Sequence, residues 1–259
     1  MPESPTVPGT ATATATGTTP GAITVAVAQP SCAEAGRPDT VAVNVERHAR
    51  SVREAAARLV VFPELSLTGY DLAAPALDPA DPRLGPLVAA CAASGATALV
   101  GAPVAEPGGG ESIATLAVTG EGAVVACRKS RLHGAEKDRF TPGEQPVVLE
   151  LDGLRLGLAI CADAADPAHA EETAALGMDA YVASTLYGAG PDQADRRDGH
   201  FRARAAAHGV WCVLATSAGA SGEFPETSGG SGFWAPGGAL VAQAGTAPGE
   251  LVRAELSVP

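Results

Sequence analysis

The stretch LRLGLAIC, residues 154–161, is the part of the sequence that decides the fold. Its first seven residues, 154–160, have the length and apolar character of a buried strand, and Cys161 ends them. The residues that follow have the signature of a helix start, which predicts a thiol at a strand-to-helix junction. A helix N-terminus offers partial positive charge and free N–H groups, which lower a thiol pKa and can receive an oxyanion. Taken alone, a free cysteine is more often a small buried hydrophobic residue.

Strands and helices alternate on both sides of this stretch, and turn residues join some strands as hairpins. Further strands are predicted at 23–29, 59–62, 97–104, 113–119, 123–128, 147–151, 180–184, 210–216 and beyond 230. Helices are predicted at 39–58, 82–94, 168–177 and 193–208. Asp152-Gly153 is a strong signal for a two-residue hairpin turn. The pattern predicts one α/β domain, with either a mixed sheet or a two-sheet sandwich covered by helices.

Charge and hydropathy exclude several classes of partner. The 259-residue chain has a formal net charge of -12, whereas nucleic acids and anionic membrane surfaces require clustered Lys and Arg. No segment reaches the length of an uninterrupted membrane span. We therefore expect small molecules or other protein surfaces as partners, with no nucleic acid and no membrane.

The cysteines and histidines give no sign of a disulfide framework or a metal site. The five cysteines are far apart and odd in number, and the five histidines lack a ligand spacing such as HExxH. We expect no metal, no cofactor and a reducing, cytoplasmic compartment. Residues 1–21 are rich in Thr, Ala, Pro and Gly and lack the pattern of a signal peptide, so they are predicted to be a disordered tail before a domain at 22–259.

Two charged residues upstream of Cys161 can serve a thiol. Glu64 follows the strand at 59–62, and the carboxyl ends of strands are where open α/β folds place ligand groups. Its apolar neighbours predict partial burial, which raises a carboxylate pKa toward the value that a general base needs. Lys129 ends the strand at 123–128, and an ammonium beside a thiol lowers the thiol pKa and stabilises a tetrahedral intermediate.

Glu136 lies seven residues after Lys129 in a charged stretch. It can hold the Lys129 ammonium, orient a substrate amide, or be a solvated surface carboxylate, and the sequence leaves these open.

Three motifs in this order resemble the nitrilase superfamily of carbon-nitrogen hydrolases. They are VFPEL with LTGY at 61–65 and 67–70, RKSRL leading to FTPG at 128–132 and 140–143, and GLAICAD at 157–163. The resemblance runs from about residue 23 to the end of the chain. It implies a four-layer αββα sandwich that assembles as a homodimer or a larger homo-oligomer.

The same resemblance implies a catalytic triad that hydrolyses a small-molecule amide. Glu64 is then the general base, Lys129 stabilises the oxyanion, and Cys161 is the nucleophile that forms a thioester and releases ammonia. Glu136 matches the second glutamate of the superfamily, and the backbone N–H of Ala162 is the natural second oxyanion donor.

One segment departs from the superfamily. Residues 162–168, ADAADPA, stand where an aromatic residue and a Phe-Pro-Glu element are common, which predicts a differently lined pocket. The motifs are most similar to the branch that hydrolyses short aliphatic amides, with N-carbamoyl compounds and nitriles as alternatives. Asp163 and Asp166 can either meet a cationic substrate group or be helix-capping and first-turn residues.

Two other functions remain open from the sequence. A cysteine-histidine hydrolase would use His133 or His169 as its base, but both histidines are expected to be solvated. A catalytically silent member of the superfamily would act as a binding protein.

Overall fold

Two six-stranded β-sheets face each other, and helices cover the outer face of each sheet. The computed structural model describes residues 21–258, so the predicted tail, apart from Gly21, lies outside the described residues. The strands are β1 (Ala22–Gln29), β2 (Leu59–Val61), β3 (Thr97–Ala105), β4 (Glu111–Thr119), β5 (Gly122–Arg128), β6 (Val147–Leu151), β7 (Leu154–Ile160), β8 (Ala180–Thr185), β9 (Trp211–Thr216), β10 (Gly232–Trp234), β11 (Leu240–Gln243) and β12 (Glu250–Ser257). The helices are α1 (Thr40–Ala55), α2 (Gly85–Ser94), α3 (Ala162–Ala165), α4 (Pro167–Ala174) and α5 (Pro191–His208), with short 3-10 helices at Pro82–Leu84 and Gly134–Asp138.

The two sheets have the same plan. The first has the order β12-β1-β2-β3-β4-β5, and the second has the order β11-β10-β9-β8-β7-β6. In each sheet three neighbouring strands are parallel, β1 to β3 in the first and β7 to β9 in the second. Antiparallel strands flank these parallel cores. The C-terminal ends of the parallel strands therefore form one edge of each sheet.

Apolar side chains explain the stacking of four layers. One cluster joins the inner faces of the two sheets, with Val25 and Val61 from the first and Leu156 and Val182 from the second. A second cluster lies between the first sheet and α1 and α2, and a third lies between the second sheet and the helices α4 and α5. Strands buried on both faces read as continuous apolar runs, as 154–160 does. The predicted αββα sandwich is confirmed.

Turn-forming residues set the β6–β7 connection and the start of α4. Asp152 and Gly153 both have positive φ, 50° and 86°, which is the conformation of the predicted two-residue hairpin between β6 and β7. The helix predicted at 168–177 begins earlier, as two short helices. Asp166 is extended (φ -82°, ψ 117°) because the residue before a proline disfavours the helical region, and Pro167 then starts α4.

Among the described residues, no helix has the length and apolar character to cross a membrane.

Candidate active site

The three predicted triad residues follow the ends of three strands. Glu64 comes after β2 and Lys129 directly after β5, and both strands belong to the first sheet. Cys161 comes directly after β7 in the second sheet. The structure brings all three to the same end of the sandwich, so the site forms only where the two sheets meet.

Lys129 lies between two carboxylates. Its Nζ is 2.6 Å from Glu64 Oε1 and 2.6 Å from Glu136 Oε1. The exposed fractions of the side chains are 0% for Lys129, 0% for Glu64 and 4% for Glu136. A buried charge is tolerated only when it is paired and hydrogen-bonded, and here the ammonium has two charged acceptors. Of the three possibilities for Glu136, the structure shows the one in which it holds the ammonium.

The backbone fixes Glu136 in turn. It lies in the 3-10 helix Gly134–Asp138, and the N–H of His133 donates to Glu136 Oε2 at 2.8 Å. The Tyr70 hydroxyl donates a longer hydrogen bond, 3.4 Å, to Glu136 Oε1. Tyr70 belongs to the LTGY motif, and its contact with Glu136 was not foreseen because sequence separation hides which loops meet.

The buried surroundings of Glu64 raise its pKa, so this base can hold a proton. Burial raises the pKa of Glu64, and the charge of Glu136 raises it further, while Lys129 lowers it. Burial alone would lower the pKa of Lys129, but the charges of Glu64 and Glu136 raise it above its ordinary value. Lys129 therefore stays cationic. Glu64 Oε2 has no hydrogen-bond partner among the described residues and is available to accept a proton.

Cys161 occupies a sharp turn between β7 and α3. Its φ is 49° and its ψ is -99°, a backbone conformation that L-residues rarely adopt and that is often found at functional sites. Its N–H donates to Ser184 O at 2.9 Å, and its Sγ is 3.7 Å from Leu186 O. The residue is partly exposed, unlike the three charged residues. The turn thus places the thiol beside the buried Glu64 carboxylate.

The pKa of the Cys161 thiol is raised, to about 12, by burial and by the nearby Glu64 carboxylate, while Lys129 lowers it. The expectation that a helix N-terminus would lower this pKa is therefore wrong. The helix α3 has only four residues, too few for a large dipole, and the carboxylate opposes ionisation. At rest the thiol is neutral, and it needs Glu64 to remove its proton.

The backbone N–H of Ala162 stands next to the thiol at the first position of α3. Within the described part of the chain it donates no hydrogen bond to backbone or side chain. First-turn N–H groups of a helix lack an intrahelical acceptor, so this one can receive an oxyanion.

The two histidines considered as alternative bases do not contact the thiol. His133 is exposed, as expected, and contributes its backbone N–H to the site. His169 was expected to be solvated, and this is wrong. It is 2% exposed, and its Nδ1 lies 2.8 Å from the Tyr181 hydroxyl on the outer side of the second sheet.

Asp163 and Asp166 both bind groups of the protein. Asp163 is 1% exposed and accepts hydrogen bonds from the backbone of Ser130 and Arg131. Asp166 caps α4 through Ala168 N–H. Of the two possibilities left by the sequence, the structure shows the second, because Asp166 caps α4 and Asp163 lies in the first turn of α3. The hydrogen bonds that join Asp163 to Ser130 and Arg131 were not predicted.

A cavity of about 300 Å³ opens beside this cluster. Its walls include Ala35, Tyr70, Asp71, Leu72, Ala135 and Glu223. Tyr70 contributes to the cavity wall and also contacts Glu136, so the cavity lies next to the buried charges. Among the described residues, no group of His, Cys, Asp and Glu side chains is arranged to hold a metal ion.

Comparison with known proteins identifies the family of the chain. The carbon-nitrogen hydrolase family matches residues 24–259. A hydrolase of Mycobacterium tuberculosis is 30% identical over 234 residues, which is 83% of this chain and 82% of that protein.

Two solved structures have the same fold. The amidase from Nesterenkonia sp. AN1, as a double mutant in complex with acrylamide, has a TM-score of 0.76 and 25% identity, covering 90% of both chains. Nit3 of Saccharomyces cerevisiae, a member of branch 10 of the nitrilase superfamily, has a TM-score of 0.78 and 21% identity, covering 92% of this chain and 90% of that one. The chain belongs to the carbon-nitrogen hydrolase family of the nitrilase superfamily.

Proposed function

We propose that this member of the carbon-nitrogen hydrolase family hydrolyses small non-peptide amides to a carboxylic acid and ammonia. The observation that carries the proposal is a buried Lys129 held at 2.6 Å by both Glu64 and Glu136, beside the partly exposed thiol of Cys161. The cluster combines a base, a fixed cation and a nucleophile, the three groups that acyl transfer through a thioester requires.

In the first half of the reaction Cys161 attacks the amide. Glu64 takes the thiol proton, Sγ forms a bond to the carbonyl carbon, and the carbonyl oxygen becomes an oxyanion. The Lys129 ammonium and the Ala162 N–H stabilise that oxyanion. Glu64 then gives its proton to the departing nitrogen, the C–N bond breaks, and ammonia leaves a thioester on Cys161.

In the second half water replaces the sulfur. Glu64 takes a proton from a water molecule as its oxygen attacks the thioester carbon. The C–S bond then breaks, the carboxylic acid leaves, and the proton on Glu64 returns to Cys161. A neutral thiol with a raised pKa suits this cycle, because Glu64 takes the proton of the thiol in the first step and returns a proton to the sulfur in the last.

Short amides are the proposed substrate class. The structure of the Nesterenkonia amidase with acrylamide supports this choice, since that protein is similar over nine-tenths of this chain. The cavity beside Tyr70, about 300 Å³, has the size for a small molecule.

An ammonia-release assay with short aliphatic amides, N-carbamoyl compounds and nitriles tests the proposal. We expect amides to give the highest kcat/KM and Cys161→Ala to lose all measurable release while its circular dichroism spectrum and Tm stay unchanged. A preference for carbamoyl compounds or nitriles would keep the triad and change the substrate. No turnover of any compound at high protein concentration would favour a silent, ligand-binding member.

We also propose that the protein works in a reducing, cytoplasmic compartment and as a homo-oligomer. A nucleophilic thiol must stay reduced, and all five cysteines carry free thiols. Size-exclusion chromatography with light scattering checks the assembly.

A further inference from the structure

The groups of the proposed site are attached to different sheets. Lys129 directly follows β5 of the first sheet, and Cys161 directly follows β7 of the second. The distance between the ammonium and the thiol therefore depends on whatever joins these two strand ends. Apolar packing between the sheets is not directional, so hydrogen bonds must fix the alignment.

Asp163 makes the hydrogen bonds that join the two strand ends. On the side of the first sheet, its Oδ1 accepts from Ser130 N–H at 3.1 Å, Ser130 Oγ at 2.9 Å and Arg131 N–H at 2.7 Å. On the side of the second sheet, its Oδ2 accepts from Ile160 N–H at 3.1 Å. Ser130 is the residue after Lys129, and Ile160 is the residue before Cys161.

We propose that Asp163 is a positioning residue, which sets the distance between the Lys129 ammonium and the Cys161 thiol. This inference rests on the proposed function of the same site. Asp163 touches neither the thiol nor the ammonium, and it acts through the backbone on either side of them. An ionised carboxylate accepts hydrogen bonds with both oxygens and donates none, so it matches four N–H and O–H donors arranged around it.

The local backbone gives Asp163 this role. Cys161 has a positive φ of 49°, and α3 has only four residues, so the turn that carries the thiol is strained and leads into only a short helix. Asp163 is 1% exposed, which keeps water from competing for its donors. Displacing a catalytic group by about 1 Å can cost on the order of 100-fold in rate, so a bond that fixes the turn has a large effect on kcat.

The test compares Asp163→Asn with Asp166→Asn. An amide keeps the volume of the side chain but replaces one acceptor oxygen by a donor. Whichever way it is oriented, it faces at least one of the surrounding N–H groups with a donor of its own. Asp166 is a matched control three residues later, since its carboxylate caps α4 and binds Arg131 without contacting the backbone beside Cys161.

For short amides we expect Asp163→Asn to lower kcat by about 10- to 100-fold and to leave KM within about threefold, because binding contacts are unchanged. Asp166→Asn should keep kcat within about twofold, even if both variants lower Tm equally. Ser130→Ala removes one of the four hydrogen bonds and should lower kcat by about threefold with the fold intact. This variant tests the proposal even if the Asp163→Asn protein does not fold.

Equal kcat for the Asp163→Asn and Asp166→Asn variants would overturn the positioning role. So would an Asp163→Asn variant with a raised KM and an unchanged kcat. The unmodified protein is measured in the same assay. If it releases ammonia, the proposed function stands whatever the variants do, and if it releases none, both proposals fall.

Discussion

The edges of the two sheets contribute to the site in opposite ways. On the first sheet, Glu64, Lys129 and Glu136 are buried, charged and bonded to one another by side-chain atoms. On the second sheet, Cys161 is neutral, partly exposed and held by a strained backbone turn. Charges can be buried only when they are mutually paired, whereas a nucleophile must remain accessible. Side-chain pairing therefore fixes one half of the site, and backbone geometry fixes the other.

Removing the cation from the first sheet should have the largest effect. Lys129→Met leaves two buried carboxylates without their partner, so we expect turnover to fall by at least about 1,000-fold. Breaking a buried ion pair costs about 3–5 kcal/mol, so the free energy of unfolding should also fall by that order. Ammonia release and urea unfolding measure the two effects.

The chain contains one other lysine, Lys137, which is exposed and serves as the matched control. Lys137→Met should change neither quantity appreciably. A Lys129→Met variant that is as stable and active as the Lys137→Met variant would show that the buried charged cluster is dispensable. It would contradict the role assigned to side-chain pairing on the first sheet.

Removing the charge of Glu136, beside the base Glu64, should move the pH profile of kcat/KM. The attack needs Glu64 as a carboxylate, so kcat/KM should rise with pH through the raised pKa of Glu64. The charge of Glu136 raises that pKa, so Glu136→Gln should move the acid limb to lower pH, by about one pH unit. Glu144→Gln, at an exposed position, should not move it. A limb that moves upward, or stays in place, would contradict the assignment of the base.

The smallest effect on kcat and stability is expected at the end of the sandwich opposite the site. Arg58 of the first sheet binds Asp152 in the β6–β7 turn at 2.6 Å, but the Asp152 side chain is 41% exposed. Exposed ion pairs contribute about 0–1 kcal/mol, and Asn accepts the positive φ at this turn. We therefore expect Asp152→Asn to keep kcat and to lower the stability by less than about 1 kcal/mol. A loss of kcat as large as that of Asp163→Asn would show that alignment of the sheets is not controlled locally.

Much of both sheets and of the site could be predicted from sequence. Apolar runs predicted the strands, and Asp152-Gly153 predicted a hairpin turn. Ordered motifs predicted the positions of Glu64, Lys129 and Cys161. These features are local in sequence, and their physical causes are local as well.

Long-range contacts could not be predicted in the same way. The burial of His169 and the hydrogen bonds of Asp163 depend on which elements pack together, since Tyr181 and Ser130 lie 12 and 33 residues away. The raised pKa of Cys161 also depends on packing, because burial and the Glu64 carboxylate outweigh any effect of a short helix. The sequence signal for Asp163 was its place two residues after the thiol, which alone also suits a helix cap.

The most direct test is to find the acyl group during turnover. The protein is mixed with a short amide such as propionamide, quenched in acid within the first turnovers, digested and analysed by mass spectrometry. We expect one propionyl group on the peptide that contains Cys161, and unmodified peptides for Cys91 and Cys212, which are buried. Ammonia release with the acyl group on another side chain would contradict the assignment of Cys161 as the nucleophile.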